Sequence, residues 1–210
     1  MAERLLLVRH AACEGGGAGR LLGRSDPPLA APGRAQARAL RALVAREEGA
    51  RFESSPLRRA RETAQLALSG DGRRAVVEES LREIDFGSWE GLTFAEVWRR
   101  DPELAERWAT WVPDFAFPGG EDLRGFIDRI AELARRLAAD PARTVVAFTH
   151  GGVIQFLLCH LLGLAPRSHL AFEICNAAVA TVRLDGERGV LCGLCASGPL
   201  GDERGGRGDG

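Results

Sequence analysis

His10 and His150 each follow an apolar run, Leu5-Leu6-Leu7-Val8 in the first case and residues 144–148 in the second, and each stands among groups that favour an anion. Arg9 precedes His10, Gly151 and Gly152 follow His150 where a helix is expected to start, and Arg58 and Arg59 fall in the first turn of another expected helix. Guanidinium groups bind phosphate oxygens in bidentate fashion, glycines let backbone amides come close, and a helix N-terminus favours negative charge. An imidazole in such company can act as a nucleophile toward phosphorus or as a donor to its oxygens. Either histidine alone would more often be a buried side chain satisfied by a backbone carbonyl. The neighbours change that reading.

Two apolar strands that end in histidine, alternating with helical segments, imply a parallel sheet whose C-terminal edge binds the ligand. After the first strand, residues 15–19 read as a glycine-rich loop and Asp26-Pro27-Pro28 as a turn, before a helix over residues 32–48. Residues 52–54 form a second strand, and Ser55 with Pro56 reads as an N-cap and first helical position of a helix reaching Leu68. Val76-Val77 is another strand, and residues 92–111 are short helices interrupted at Asp101-Pro102. The clearest amphipathic helix starts near Glu121, with Leu123, Phe126, Ile127, Ile130, Leu133, Ala134 and Leu137 on one face. Residues 153–162 form a helix apolar enough to be covered by neighbours, and residues 179–184 and 190–194 frame a hairpin turn. From residue 198 the chain is glycine-rich and charged and is expected to be a disordered tail, in which Arg207-Gly208-Asp209 is a chance match to an integrin ligand.

The 210 residues suit one domain, expected over residues 1–197, with a helical cap near residues 92–120. A formal net charge of -1 gives no global field for nucleic acid or an anionic membrane, so neither is expected as a partner. All 28 basic residues are arginine, which makes any single arginine weaker evidence than usual. Residues 5–8 are too short an apolar run for a signal peptide, and no stretch reaches membrane-spanning length, so a cytoplasmic location is expected. Five scattered cysteines read as reduced thiols. Cys192 and Cys195 form a lone C-x-x-C without the second pair or histidine that a zinc site requires, so no metal is expected.

Taken in order, the motifs resemble those of the histidine phosphatase, or phosphoglycerate mutase-like, superfamily. They are Leu7-Val8-Arg9-His10-Ala11, Gly23-Arg24-Ser25-Asp26-Pro27-Pro28-Leu29, Ser55-Pro56-Leu57-Arg58-Arg59-Ala60 with Thr63-Ala64, Leu81-Arg82-Glu83-Ile84-Asp85-Phe86-Gly87 with Trp89-Glu90-Gly91, and Thr149-His150-Gly151-Gly152. The resemblance implies a three-layer α/β/α sandwich with a mostly parallel central sheet and a phosphomonoesterase that needs neither metal nor cofactor. It implies catalytic roles for His10, Arg9, Arg59, Glu83 and His150, and substrate contacts at Gly23 and Gly151. Arg58 rivals Arg59, and the spacing to Ala60 and Thr63 favours the latter.

In the mechanism this implies, His10 attacks phosphorus, Glu83 serves as acid and then base, and His150 donates to phosphate oxygens. The chain departs from the pattern R-H-G-E-T-x-x-N after the nucleophile, where Ala11-Ala12-Cys13-Glu14-Gly15-Gly16 sets Gly16 at the usual asparagine, so one phosphate donor is lost or replaced by a backbone amide. Residues 81–91 with Trp108, Trp111 and Pro118-Gly119-Gly120-Glu121 look most like the α-ribazole phosphatases, with broad-specificity, sugar and phosphoglycerate phosphatases as alternatives. A mutase or a noncatalytic binding protein fits less well. Trp98, Trp108, Trp111, Phe115 and Phe117 of the cap could offer an aromatic face to a base, although aromatic residues at helical spacing more often pack into a core. The expected partner is a small-molecule phosphate ester, and the chain is expected to be a monomer or homodimer.

Overall fold

Strand β1 (Arg4–Arg9) lies in the middle of the sheet, with Leu5, Leu6, Leu7 and Val8 all buried. It pairs in parallel with β4 (Thr144–Thr149), and the register sets Val8 against Phe148 and Arg9 against Thr149. One residue further, His10 and His150 leave the sheet side by side. The computed structural model describes residues 1–195 apart from Ala18, Asp71 and Pro113.

The six strands run β3-β2-β4-β1-β5-β6, where β2 is Arg51–Ser54, β3 is Val76–Val77, β5 is Val179–Asp185 and β6 is Arg188–Cys195. The first four are parallel, whereas β5 and β6 return antiparallel along the other side of β1. Alternation along β1 divides the core in two. Leu5 and Leu7 face α6 (Leu123–Ala139) and α7 (Gly151–Leu162), while Leu6 and Val8 face α1 (Ala31–Ala39) and α3 (Arg58–Ala67). This is the expected α/β/α sandwich. No helix among the described residues is long and apolar enough to cross a membrane.

Several boundaries differ from the sequence expectation. The helix expected over residues 32–48 is broken into α1 and α2 (Arg41–Val44) at Leu40, whose N–H turns to Arg38 O instead of continuing the regular ladder. The helix after Pro56 starts only at Arg58, because Ser55 is fully buried and its hydroxyl oxygen takes the Leu57 N–H while pairing with His150. The amphipathic helix begins two residues after Glu121, capped by Asp122, whose carboxylate accepts the Gly125 N–H at 2.7 Å. The expected tail and its Arg207-Gly208-Asp209 lie outside the described residues.

The cap consists of α4 (Phe94–Arg100) and α5 (Pro102–Ala109), separated at Asp101 as Asp101-Pro102 suggests. Thr93 and Glu96 form a reciprocal capping box at the start of α4. Most cap aromatics pack inward: Trp108, Phe115 and Phe117 gather around Trp89, and Trp111 stacks on Phe156. Phe94 and Trp98 remain exposed and touch each other at 5.8 Å between ring centroids.

Glu53 is a charged residue inside the sheet, completely buried on β2. Arg136 of α6 donates to both of its oxygens at 2.9 and 2.7 Å, and Arg51 adds a third bond at 2.8 Å. Burial alone would raise the Glu53 pKa, but these hydrogen bonds and charges outweigh it and hold the carboxyl below its ordinary value. The pairing ties β2 to α6 and so fixes the strand that leads into Ser55. Replacing Glu53 by Ala leaves the half-buried Arg136 with a 3.9 Å contact to Glu78 in place of its two-oxygen partner, and should cost about 3 kcal/mol in urea unfolding. Because the folded pKa is depressed, the advantage over Glu53→Gln should be complete above about pH 4.5 and shrink as pH falls below it. A difference that grows on acidification would contradict this account.

Candidate active site

The backbone of His10 is held on every side. Its N–H donates to Thr149 O at 2.8 Å, and its carbonyl accepts from the Asn176 side-chain amide and from the Ala177 N–H, both at 3.2 Å. Ala177 has φ 56°, a left-handed conformation that costs a non-glycine residue energy, and it occurs here against the carbonyl of His10. The next peptide is held too, since the Ala11 N–H donates to Thr63 Oγ1 at 3.0 Å while that hydroxyl donates to Arg59 O at 2.7 Å.

The imidazole of His10 is 5% exposed, and its Nδ1 lies 2.9 Å from Ala11 O. A carbonyl can only accept, so Nδ1 carries the proton and Nε2 carries the lone pair. Nε2 has no hydrogen-bond partner among the described residues. Burial, then the charges of Arg9 and Arg59, push the His10 pKa well below its ordinary value, against a smaller upward effect of the Ala11 bond. The ring is therefore neutral and nucleophilic at neutral pH.

His150 lies 5.3 Å from His10 between ring centroids and is fully buried. Its Nε2 is 2.7 Å from Ser55 Oγ, which also accepts the Leu57 N–H at 3.3 Å. Its Nδ1 is buried and unpartnered among the described residues, and with the Ser55 hydroxyl donating to Nε2 the neutral ring would carry its single N–H proton there. Burial, with the charges of Arg59, His10 and Arg9, depresses the His150 pKa as well. An oxyanion would find there a neutral donor already oriented.

Arg59 is completely buried, and Nη1 donates to Ser25 O at 2.6 Å while Nη2 donates to Leu22 O at 3.0 Å and Gly23 O at 2.9 Å. Its Nε–H is buried without a partner among the described residues. Arg9 is anchored from the other side by a bond to Ile174 O. Arg58, the rival, is exposed and paired with Glu62 at 2.6 Å, so the structure brings Arg59 to the site and leaves Arg58 outside it.

Glu83 is also buried, with Oε2 accepting the Gly152 N–H at 3.0 Å and Oε1 the Ile84 N–H at 3.1 Å. Burial raises its pKa, opposed by these two bonds and by Arg59 and Arg9. Of the glycine pair after His150, Gly152 exists for closeness, since a Cβ there would stand 2.6 Å from Glu83 Oε1, whereas one on Gly151 would sit in ordinary contact with Arg9 Nε at 3.4 Å. The helix start thus receives a carboxylate on one side and a guanidinium on the other.

His10, Arg9, Arg59, Glu83, His150 and Gly151 come together as the motifs imply. Gly23 lies beside them in a different capacity, because its N–H is taken by the Glu90 carboxylate and its carbonyl by Arg59. Gly16 does not replace the missing asparagine, since its amide closes a turn onto Cys13 O at 3.2 Å. Sequence reasoning reads Ser55 only as a helix cap and assigns no role to Asn176 or Glu90, although Ser55 and Glu90 stand inside recognised motifs. Among the described residues, no group of three or more His, Cys, Asp or Glu side chains is arranged to hold a metal, and Cys192 and Cys195 lie exposed on β6.

Known proteins share this arrangement. The family model of the histidine phosphatase superfamily (branch 1) matches residues 5–195. Phosphoserine phosphatase 1 of Hydrogenobacter thermophilus is 30% identical over 200 residues, which are 95% of each chain. The adenosylcobalamin/alpha-ribazole phosphatase of Salmonella typhimurium is 33% identical over 175 residues, 81% of this chain and 85% of that one. The crystal structure of the alpha-ribazole phosphatase from Shigella flexneri superposes with a TM-score of 0.82 at 25% identity, covering 92% of this chain and 96% of the other. With a paired-histidine site at the parallel edge and a family match across nearly all the described residues, the chain belongs to the histidine phosphatase superfamily.

Proposed function

We propose that this protein hydrolyses a small-molecule phosphate monoester without a metal, through a phosphohistidine on His10, and that α-ribazole 5′-phosphate is its first candidate substrate. The observation that carries the reaction is the bare Nε2 of His10, held neutral and deprotonated beside Arg9, Arg59 and His150. Nε2 attacks phosphorus in line while the ester oxygen departs and takes a proton from Glu83. Charge on the nonbridging oxygens is met by both arginines and by His150. Glu83, now a carboxylate, then takes a proton from water as that water attacks the phosphohistidine, releasing phosphate and restoring His10.

Support for the substrate comes from the likeness to the Salmonella and Shigella enzymes and from the exposed aromatic pair Phe94 and Trp98, which could stack against a flat base. A second reading, phosphoserine, is favoured by the relative from Hydrogenobacter thermophilus aligned over 95% of both chains. Comparing kcat/KM for α-ribazole 5′-phosphate, phosphoserine, phosphoglycerates and sugar phosphates decides between them. The first should lead by at least about tenfold, and a lead for any other ester rejects the α-ribazole reading.

His10→Ala should abolish turnover and acid-labile labelling from a radiolabelled ester, and phosphate release by the wild type should be unchanged by EDTA. A labelled, active mutant would refute the nucleophile. Glu83→Gln should slow alkyl phosphates by roughly 10²–10⁴-fold but p-nitrophenyl phosphate much less, because p-nitrophenolate leaves without a proton. Equal losses on both would remove Glu83 from the role of acid.

The pH dependence follows from the two shifts. His10 must be neutral and its pKa is lowered, so the acid limb of kcat/KM should lie below 6.5. Glu83 must be protonated and its pKa is raised, so the alkaline limb should lie above 4.5. Activity should therefore persist below pH 6.5 before it falls on acidification, and an acid limb above pH 6.5 would contradict the burial of His10 as its cause.

A further inference from the structure

Glu90 stands outside the reacting groups, yet it has the densest set of backbone donors of any carboxylate near them. Its Oε1 accepts from Gly23 N–H at 3.0 Å, Arg24 N–H at 2.8 Å and Phe86 N–H at 3.3 Å, and its Oε2 from Gly23 N–H at 3.1 Å and Ser25 N–H at 3.1 Å. On the far side of the same loop, Arg59 donates to Leu22 O and Gly23 O. The amide of Gly23 and the carbonyl of Leu22 belong to one peptide group, and the amide of Arg24 and the carbonyl of Gly23 to the next. A trans peptide points its N–H and C=O in opposite directions. Two consecutive peptide groups are therefore clasped between a carboxylate and a guanidinium, with their dipoles aligned from the anion to the cation.

We propose that Glu90 is the positioning residue for Arg59, acting through these two peptide groups. Its charge orients the peptides, polarises their carbonyls toward Arg59, and so fixes the guanidinium with the buried Nε–H left over for a phosphoryl oxygen. Gly23 is required because a Cβ there would collide with Ile84 O and with Glu90 itself. A glutamine at position 90 would present an NH2 group to a ring of N–H donors, so one edge of the nest would be repelled rather than held.

The inference rests on the reading of Arg59 as a phosphate ligand, and the test separates the two. Vanadate affinity and kcat are to be measured for wild type, Glu90→Gln, Arg59→Ala and the double variant, with thermal melting followed alongside. Glu90→Gln should weaken vanadate and lower kcat by about 10–100-fold, the range that small misplacements of a catalytic group produce. In the Arg59→Ala background the same substitution should change vanadate affinity less than about twofold, because the group it positions is gone. Gly23→Ala, which strains the same loop without altering charge, should show the same dependence on Arg59 and serves if Glu90→Gln does not fold. Equal losses with and without Arg59, or no loss in either, would overturn the proposal. Unchanged vanadate affinity in Arg59→Ala would instead overturn the reading of Arg59.

Discussion

One hydrogen bond, from Nδ1 of His10 to the carbonyl of Ala11, decides which ring nitrogen keeps its lone pair, and much of the molecule serves to make that bond dependable. The ring is only useful if its backbone cannot turn. The β1–β4 register supplies Thr149 O for its amide, the segment before β5 supplies Asn176 and Ala177 for its carbonyl, and α3 supplies Thr63 for the peptide that follows. Strands on both flanks and a helix on one face thus converge on two peptide units. Burial then does the electrostatic work, because a desolvated imidazole between arginines cannot easily become a cation.

The large features of this arrangement were legible in residue order. Leu5 to Val8 before Arg9-His10 marks a buried strand, and the seven apolar positions from Leu123 to Leu137 mark the helix that covers it, because both signals are periodic and local. The motifs located Arg59, Glu83 and His150 as well. What stayed hidden depends on contacts between distant segments. Ser55 reads as a helix cap because serine before proline usually is one, and only the fold reveals that His150 claims its hydroxyl. Asn176 lies 166 positions from the carbonyl it serves, and Glu53, in a strand that reads as ordinary, is buried against an arginine 83 positions away.

The cap shows the same division at the level of specificity. Its short helices and their break at Asp101-Pro102 are legible in the sequence, yet periodicity does not say which aromatic rings are spent on the core. Trp108, Phe115 and Phe117 are, around Trp89, whose indole N–H donates to Asp101 at 2.7 Å. The residue that splits the two cap helices is thus also the one that satisfies the buried indole. The rings free to meet a ligand are therefore few, with Phe94 and Trp98 the exposed pair among the described cap residues.

Glu83 and Glu90 occupy one short segment, and that placement has a thermodynamic meaning. In the proposed mechanism the first carries the proton for the leaving group, and in the proposed positioning role the second holds the loop that holds Arg59. If the segment lifts, the amides of Gly23, Arg24, Ser25 and Gly152 lose their carboxylate acceptors together. Acid and clamp are then one unit of local unfolding, so a molecule with the proton donor in place but the phosphate clamp slack is a rare member of the ensemble. Excursions of this segment silence the enzyme wholly rather than leaving a half-competent form.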